Sequence, residues 1–373
     1  MKLSIHDHHL SPSPEINKEK ILITAANSHT GFAAAKELVE LGFPVRAFVR
    51  NPNKQKAKEL KSLGAEIVAG NMNDIRDVRK SMEGIKRAYF CQPYAPYSLF
   101  TAMTFAVAAE EMKLEHVVSM TQWFSSNTHP SLTTREHWLT DRIVMMSPKV
   151  KYTLINPSWA FPFVYFLSLE LIAQMGIMPD MGKNALPSNE DMGAVAAHIL
   201  KDPAKHAGKT YRPTGPKILS TQEMADIIGK ILGRKVVAQK MSKQMFQKAV
   251  MAAGLPIYAS SQVPDYNEEA FNGTMDVSAP TSVVKEIVGR DPEDFETIAR
   301  RYIADSSVAK RSVVNKLRAL KNLAKVMLTR VPDLDTYHRE QGHPTLKNPE
   351  FCYQNKEWRA EHEAAAPAGR DAA

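Results

Sequence analysis

Several features that mark secreted and membrane proteins are missing from this 373-residue sequence. Its two cysteines, Cys91 and Cys352, give no disulfide framework and indicate a reducing compartment. No apolar run follows Met1, and no stretch reaches the ~18 consecutive apolar residues of a transmembrane helix. We therefore expect a cytoplasmic protein that does not span a membrane.

Familiar catalytic and metal-binding patterns are also absent. No serine, histidine and acid have the spacing of a nucleophile elbow, and we expect no metal site. His6, His8 and His9 lie in residues 1–19, a polar leader that we predict to be disordered. The formal charge of +8 is moderate, and no aromatic residues interleave with the most basic segment. We therefore expect no nucleic-acid partner.

What the sequence does contain is an opening unit of strand, turn and helix. Residues 21–23 are an apolar run ending at Thr24, and a helical period begins near Gly31. Such a turn directs backbone N–H groups and the positive end of the helix dipole at one spot, which suits a pyrophosphate. The G-x-x-G-x-x-G spacing of short-chain reductases remains only as Ala25, Ser28 and Gly31.

The next predicted strand indicates which dinucleotide fits. Residues 45–49 end at Arg50, and Lys54 follows closely. Many nicotinamide-binding chains carry an acid here for the ribose 2′-OH, whereas a guanidinium binds a 2′-phosphate. The sequence therefore predicts NADP(H) rather than NAD(H). The alternative is a domain of the same architecture that has lost its nucleotide.

Strands and helices alternate through the first half of the chain. The predicted strands are residues 21–24, 45–49, 66–69, 87–91, 116–120 and 152–155, and the predicted helices are 31–41, 53–63, 74–82, 98–112 and 134–146. This alternation predicts the α/β class, with a doubly wound parallel Rossmann sheet and right-handed crossovers. Ligands bind beyond the carboxyl ends of such strands, so polar residues there are candidate site residues.

The pattern changes after Pro157. We predict an NADP(H)-binding Rossmann domain at 20–157 and a smaller, mostly α-helical substrate region at 158–304 that interleaves with it. Residues 305–373 form a C-terminal extension with a basic amphipathic helix and an extended tail. The apolar segment 159–167 is either plain core or a lid over an apolar substrate.

The extension has one distinctive segment. Residues 310–330 contain seven basic residues and no acid, and their apolar residues share one helical face. A basic amphipathic helix suits an anionic membrane surface or an acidic partner. The alternative is a helix that docks on its own domain or on a dimer mate. The sequence leaves open whether the protein is peripheral at a membrane and whether it is a homodimer.

Several segments resemble one family. The opening unit, residues 129–138, Asp141-Arg142, Asn156-Pro157, residues 187–191, 209–216 and 292–296 are similar to those of NmrA-like proteins, which are atypical short-chain dehydrogenases/reductases. The resemblance covers roughly residues 20–304. It implies an extended Rossmann domain, a small C-terminal substrate region and a preference for NADP(H). Members of the family divide between reductases and redox-sensing regulators that bind the cofactor without turnover.

The catalytic residues of the superfamily do not all have counterparts. Its reductases use Tyr-x-x-x-Lys on the helix after the fifth strand. Aligning this helix on Asp141 puts Thr133 at the tyrosine position and His137 at the lysine position. His137 is then a candidate to hold the ribose or relay a proton, or a packed helix residue. Thr121, at the end of the fifth strand, is a candidate to orient an acceptor, or is structural.

We therefore expect an NADP(H)-dependent oxidoreductase that reduces a small apolar carbonyl, quinone or related acceptor by hydride transfer. The alternative is a non-catalytic NADP(H)-sensing protein. The predicted catalytic residues are His137 and Thr121. The predicted cofactor-binding residues are Thr24, Asn27, Ser28, Thr30, Gly31, Phe32, Arg50, Lys54, Asn71, Gln92, Pro93, His137 and Pro157. The predicted substrate-binding residues are Tyr94, Trp123, Trp159, Phe161 and Phe163.

Overall fold

A computed structural model describes residues 18–158, 162–304 and 306–364. The strands in these ranges are β1 (Ile21–Ile23), β2 (Val45–Val49), β3 (Glu66–Ala69), β4 (Arg87–Cys91), β5 (His116–Met120), β6 (Lys151–Ile155), β7 (Ile177–Pro179), β8 (Lys183–Asn184), β9 (Thr210–Tyr211), β10 (Leu219–Ser220) and β11 (Val237–Gln239). Seven of them form one parallel sheet in the order β3-β2-β1-β4-β5-β6-β9.

Helices cover both faces of this sheet and build the second region. Those of the Rossmann half are α1 (His29–Glu40), α2 (Gln55–Ser62), α3 (Ile75–Met82), α4 (Ser98–Glu111) and α5 (Leu132–Met146). Those that follow are α6 (Pro162–Phe166), α7 (Leu169–Met175), α8 (Asn189–Lys201), α9 (Thr221–Leu232), α10 (Lys243–Ala252), α11 (Ile257–Phe271), α12 (Val283–Val288), α13 (Phe295–Ala304), α14 (Val313–Leu328), α15 (Leu334–Glu340) and α16 (Lys356–Ala364).

The predicted α/β class and parallel Rossmann sheet are confirmed. Each of the six predicted strands lies within one residue of its predicted ends. The seventh strand, β9, was not predicted, because a two-residue strand carries no periodic signal. It comes from the second region, and α8 of that region packs on α1, where a Cβ on Gly193 would meet Ala33 Cβ at 2.5 Å. The two regions therefore share one framework.

Helix α1 sets the position of the candidate nucleotide site. Ser28 is its N-cap, and Ser28 Oγ accepts a hydrogen bond from Gly31 N at 3.0 Å. Ala34, Ala35 and Leu38 lie on its buried face and join the core under β1 and β2. This packing fixes the helix N-terminus at the carboxyl edge of the sheet.

The C-terminal extension returns to the second region, which differs from the predicted extended tail. Cys352 and Trp358 are buried in the same core as α9 and α13. Trp358 Nε1 donates to Ser125 O at 3.1 Å, and Glu350 N donates to Thr128 O at 2.8 Å. The polar sequence of the extension concealed these anchors, which are single residues without a periodic pattern.

Helix α14 lies inside the segment predicted to be a basic amphipathic helix. It contacts α7 and α10. Across the described ranges, each helix is too short or too polar to cross a bilayer.

Candidate active site

The turn between β1 and α1 has the close backbone packing of a dinucleotide site. Ala25 has a φ of 48°, a conformation that glycine adopts more easily. A Cβ on Gly31 would lie 2.5 Å from Ala25 O and 2.9 Å from Ser28 Oγ, so only glycine fits there. This close approach is what the third glycine of a dinucleotide fingerprint provides. The turn therefore fits a pyrophosphate although two of the fingerprint glycines are replaced.

Two of the predicted cofactor residues fix this turn to the sheet. Thr24 Oγ1 donates to Tyr89 O at 3.0 Å and accepts from Cys91 N at 3.3 Å. The Tyr89 hydroxyl donates to Thr30 Oγ1 at 3.1 Å. All of these groups except Cys91 are buried. The side chains of Thr24 and Thr30 therefore shape the turn.

Three basic residues surround the carboxyl end of β2. Arg50 and Lys54 are exposed, and no described residue forms an ion pair or side-chain hydrogen bond with either. Lys56 reaches back over the turn, with Nζ 3.3 Å from Ser28 O and 5.3 Å from the centre of the Phe32 ring. Burial lowers the pKa of Lys56. The sequence prediction missed Lys56, although its position two residues after Lys54 was a usable signal.

Two predicted asparagines occupy different places. Asn27 Nδ2 donates to Asn51 O at 2.9 Å, whereas Asn27 Oδ1 is buried and has no partner in the described chain. Asn71, just beyond β3, is exposed; its backbone N donates to Asp77 Oδ2 at 2.9 Å and its Oδ1 accepts from Asn73 N at 3.0 Å. Asn27 therefore has an unused acceptor beside the turn, and Asn71 mainly organises its own loop.

Two other buried side chains, one on α5 and one just after β4, have unpartnered polar atoms. His137 is 7% exposed, and neither ring nitrogen has a partner among the described residues. Burial lowers the pKa of His137 to about 3, so the ring is neutral near pH 7. Gln92 Oε1 is likewise unpartnered, while Gln92 Nε2 donates to Ser98 Oγ at 2.9 Å. Buried polar atoms normally have partners, and ribose hydroxyls or a carboxamide fit these positions.

The structure surrounds Thr121 with polar partners. Its Oγ1 donates to Asp141 Oδ1 at 2.8 Å and accepts from Asn156 Nδ2 at 2.5 Å. Ser125 Oγ and Asn156 Nδ2 bind Asp141 Oδ2 at 2.8 and 3.2 Å. Burial raises the pKa of Asp141 to about 6, although these hydrogen bonds oppose the shift. The geometry therefore favours Thr121 as an anchor between β5, β6 and α5.

A phenol from the second region contacts Thr133, the residue that the sequence alignment puts at the superfamily's tyrosine position. Tyr258 of α11 is 2% exposed, and its hydroxyl lies 2.6 Å from Thr133 Oγ1. It also donates to Glu136 Oε2 at 3.4 Å, and Ser98 Oγ donates to the same oxygen at 2.6 Å. A continuous hydrogen-bonded chain thus runs from Tyr258 to Ser98 and on to Gln92. Burial raises the pKa of both Tyr258 and Glu136.

Sequence reasoning did not single out Tyr258 or Glu136. Tyr258 lies 125 residues from Thr133 along the chain, and only folding brings them together. Glu136 carried a weak signal, because it stands next to His137 on the helix aligned with the superfamily's catalytic helix.

Of the predicted substrate residues, Tyr94 lies near this phenol and Trp123 does not. Tyr94 is partly exposed, and its ring centre is 5.9 Å from that of Tyr258. Trp123 is 1% exposed, its Nε1 donates to Thr274 O at 2.9 Å, and the Arg212 guanidinium stacks 3.2 Å from its ring centre. These contacts place Trp123 in the core of the second region, which disfavours the predicted substrate contact.

The structure gives little detail on the other predicted substrate and cofactor residues. Trp159 and Phe161 lie outside the described residues, and Phe163 is described only as a backbone position in α6. Pro93 is half-buried just after β4, and Pro157 is buried after β6, so both lie at the carboxyl edge of the sheet.

The C-terminal extension also reaches this site. The ring of His343 packs edge-on against Tyr258, with ring centres 6.2 Å apart. Arg135 on α5 donates to Pro344 O at 2.5 Å and to His129 O at 2.7 Å. The extension therefore forms part of the wall next to Tyr258.

One buried group of potential metal ligands lies away from the site. His129, Glu269 and Cys352 offer ligand atoms within 4.8 Å of one another. His129 Nε2 is 3.0 Å from Glu269 Oε1, and Glu269 also accepts from Thr274 Oγ1 and from the backbone N of Cys352 and Tyr353. These bonds use the carboxylate fully, so the group serves to attach the extension to α11.

The sheet order and the glycine-packed turn define a doubly wound α/β protein of the Rossmann class. Within that class, the NmrA-like family model matches residues 17–144 and 158–298. The chain belongs to the NmrA-like family. The family match ends at residue 298, so α14, α15 and α16 lie beyond it.

Individual proteins are similar to this chain over most of their length. The NAD(P)H azoreductase of Xenophilus azovorans is 23% identical over 302 residues, which are 76% of this chain and 98% of that protein. The NADPH-dependent quinone oxidoreductase QOR2 of Escherichia coli, solved with NADPH, has a TM-score of 0.66 and 21% identity, covering 75% of this chain and 99% of that one. Triphenylmethane reductase of Citrobacter sp., complexed with NADP(H), has a TM-score of 0.65 and 18% identity, covering 76% and 99%.

Proposed function

We propose that this chain binds NADP(H) at the β1–α1 turn and reduces a small apolar carbonyl, quinone or related acceptor. The observation that carries the proposal is the Tyr258 phenol, 2.6 Å from Thr133 on the helix where the superfamily's tyrosine is missing. The relatives named above as quinone, azo-compound and triphenylmethane reductases support the same type of acceptor.

Three parts of the dinucleotide have a complementary group in the chain. The turn closed by Gly31 presents the N-terminus of α1 to the pyrophosphate. Arg50 and Lys54, whose side chains have no partner among the described residues, attract a 2′-phosphate. The neutral His137 offers one donor and one acceptor to ribose hydroxyls. When bound, the reduced cofactor supplies the hydride.

The protein's own part in the reaction is to supply a proton. Tyr258 is protonated at neutral pH and can donate to an acceptor oxygen, although burial raises its pKa and makes it a weaker acid than a free phenol. A carbonyl or quinone oxygen that gains negative charge as hydride arrives then takes the phenolic proton. Glu136 Oε2 accepts a hydrogen bond from the phenol at 3.4 Å and so orients it, and solvent returns the proton to Tyr258 after the reduction. One hydride and one proton complete a two-electron reduction.

The surroundings of Tyr258 suit an apolar acceptor. The rings of Tyr94 and His343 pack against it, and no charged group other than Glu136 is recorded within hydrogen-bonding distance of its hydroxyl in the described chain. A flat aromatic acceptor can stack on such rings, whereas a charged sugar would find little to pair with.

The test is acceptor-dependent oxidation of NADPH by the full-length protein. We expect a benzoquinone or naphthoquinone to be reduced with one NADPH consumed per quinone. An NADPH-induced thermal shift without turnover of quinones, azo dyes or aldehydes would refute the catalytic proposal and leave cofactor binding standing.

A non-catalytic NADP(H) sensor is the second candidate. The observation that favours it is on α5, where Thr133 and the neutral, buried His137 replace the usual tyrosine and lysine. A sensor is expected to bind NADPH and NADP⁺ with different affinities and to change shape between them. Small-angle scattering of the two complexes, together with the turnover assay, distinguishes the candidates.

A homodimer, which the sequence leaves open, has a candidate contact face on α4 in the described part of the chain. Phe100, Met103 and Val107 are exposed on one side of α4 at helical spacing, at 57%, 52% and 47%. We propose that this face pairs with a second copy. Sedimentation equilibrium of the unchanged protein and of Met103→Asp tests this contact. We expect a dimer for the unchanged protein and a monomer for the variant.

A further inference from the structure

Helix α14 is attached to the protein along one narrow side. Ala319 is its buried residue, and Asn315, Leu323 and Val326 are half-buried on the same side. This side contacts α7 and α10. The rest of the helix circumference faces outward.

The outward side is apolar along the whole helix. Its exposed residues are Val313 (76%), Val314 (72%), Leu317 (62%), Leu320 (41%), Met327 (55%) and Leu328 (87%). At 100° per residue they occupy roughly a 140° arc opposite the attached side, over a length of about 24 Å. A soluble monomer rarely leaves such a continuous apolar stripe without a partner, so the stripe marks a contact surface.

Basic residues border this stripe. Residues 310–330 contain no acid. Arg318 pairs with Glu170, and Lys325 Nζ donates to Ala252 O at 2.6 Å. For the other basic residues of the segment no ion pair is recorded in the described chain; these are Lys310, Arg311, Lys316, Lys321 and Arg330. The stripe is therefore an apolar strip with unneutralised positive charge along both edges and at both ends.

We propose that α14 docks the protein on an anionic lipid surface, with the helix axis parallel to the membrane. The apolar stripe enters the boundary between headgroups and acyl chains, and the bordering lysines and arginines bind lipid phosphates and carboxylates. With 16 residues and four basic side chains, the helix is suited to lie in the interface rather than to span the bilayer.

The charge distribution selects lipid over a second copy of the chain. A two-fold contact would place the same acid-free face against itself, so basic residues would oppose basic residues. An anionic surface instead neutralises all of them. The docking does not depend on the proposed reductase activity, because it uses residues beyond the family match.

The experiment is sedimentation of the full-length protein with vesicles, without nucleotide. One set of vesicles is pure phosphatidylcholine, and the other is equal parts phosphatidylcholine and phosphatidylserine. Leu317→Asp places a charge in the middle of the stripe, where the side chain is exposed and no fold contact depends on it. Met146→Asp is the matched control, since it makes the same kind of change at an apolar position that is 77% exposed at the end of α5, outside α14 and outside the proposed α4 contact.

We expect binding to the anionic vesicles only, weakened by salt. Leu317→Asp should lower the partition coefficient by roughly tenfold or more, and Met146→Asp should leave it unchanged. Replacing Lys316 and Lys321 by glutamine should lower it by about fivefold for each charge. Three results would overturn the proposal. The protein could bind neutral and anionic vesicles equally, the two aspartate variants could lower binding equally, or Leu317→Asp could change the molecular mass of the protein in the absence of lipid.

Discussion

Replacing Tyr258 by phenylalanine separates the catalytic role of its hydroxyl from its packing. The ring contacts with Tyr94 and His343 remain, and only the hydroxyl is lost. Thr133 Oγ1, which is buried, then loses its 2.6 Å partner. An unsatisfied buried hydroxyl costs about 1–3 kcal/mol, so we expect a moderate loss in the free energy of unfolding.

The effect on turnover should be larger than this structural cost. A general acid typically contributes about 10²- to 10⁴-fold, which corresponds to about 3–5 kcal/mol of transition-state stabilisation. We therefore expect kcat for quinone reduction to fall by at least about a hundredfold. The NADPH affinity should hardly change, because Tyr258 binds no residue of the β1–α1 turn in the described structure.

The matched control is Tyr165→Phe. Tyr165 is also buried in the second region, and its hydroxyl accepts from Asn184 Nδ2 at 3.2 Å. We expect a similar loss of stability with turnover intact. The assay is the decrease in NADPH absorbance with saturating quinone, together with urea unfolding of each variant. If Tyr258→Phe turns over like Tyr165→Phe, the phenol is not the proton donor.

The other predictions concern the cofactor site. Gly31→Val should abolish the NADPH-induced thermal shift, because the Cβ meets Ala25 O at 2.5 Å, whereas Ala25→Gly should keep it. A shift retained in Gly31→Val would contradict binding at the turn. Arg50→Ala should lower the affinity for NADPH by about tenfold or more and have little effect on the affinity for NADH. Lys58→Ala, on the exposed side of α2, should change neither affinity, and calorimetry measures both. The folded pKa of His137 is about 3 against 6.5 unfolded, so stability should fall as pH drops from 6.5 towards 3. His137→Gln should reduce the slope of the free energy of unfolding, measured with urea, against pH by up to about 1.4 kcal/mol per pH unit. An unchanged slope would contradict the burial of His137.

The fold was predictable from the sequence because its signals are local. Apolar runs of four to five residues alternate with helical periods, and this alternation predicts a parallel sheet wherever it occurs. The exceptions were β9, which has two residues, and the return of Cys352 and Trp358 to the core. Both depend on contacts between distant segments, which leave no periodic pattern in the sequence.

The sequence could predict only those site residues that belong to one local turn or helix. Gly31, Arg50 and His137 follow from their places at the ends of strands and on α5, and their roles stay predictions. Tyr258 could not be found, because α11 reaches Thr133 across 125 residues of chain. Trp123 is buried in the core, and an indole after a strand looks the same in sequence whether it packs inward or faces a substrate.

The most direct test of the account is single-turnover reduction of a quinone by the full-length protein loaded with NADPH, with deuterium at the transferred position in a parallel sample. We predict that one NADPH is oxidised per quinone reduced, that deuterium slows the step, and that Tyr258→Phe slows it further. Tight binding of NADPH without oxidation by any quinone, azo dye or aldehyde would contradict the claim that this chain is a reductase.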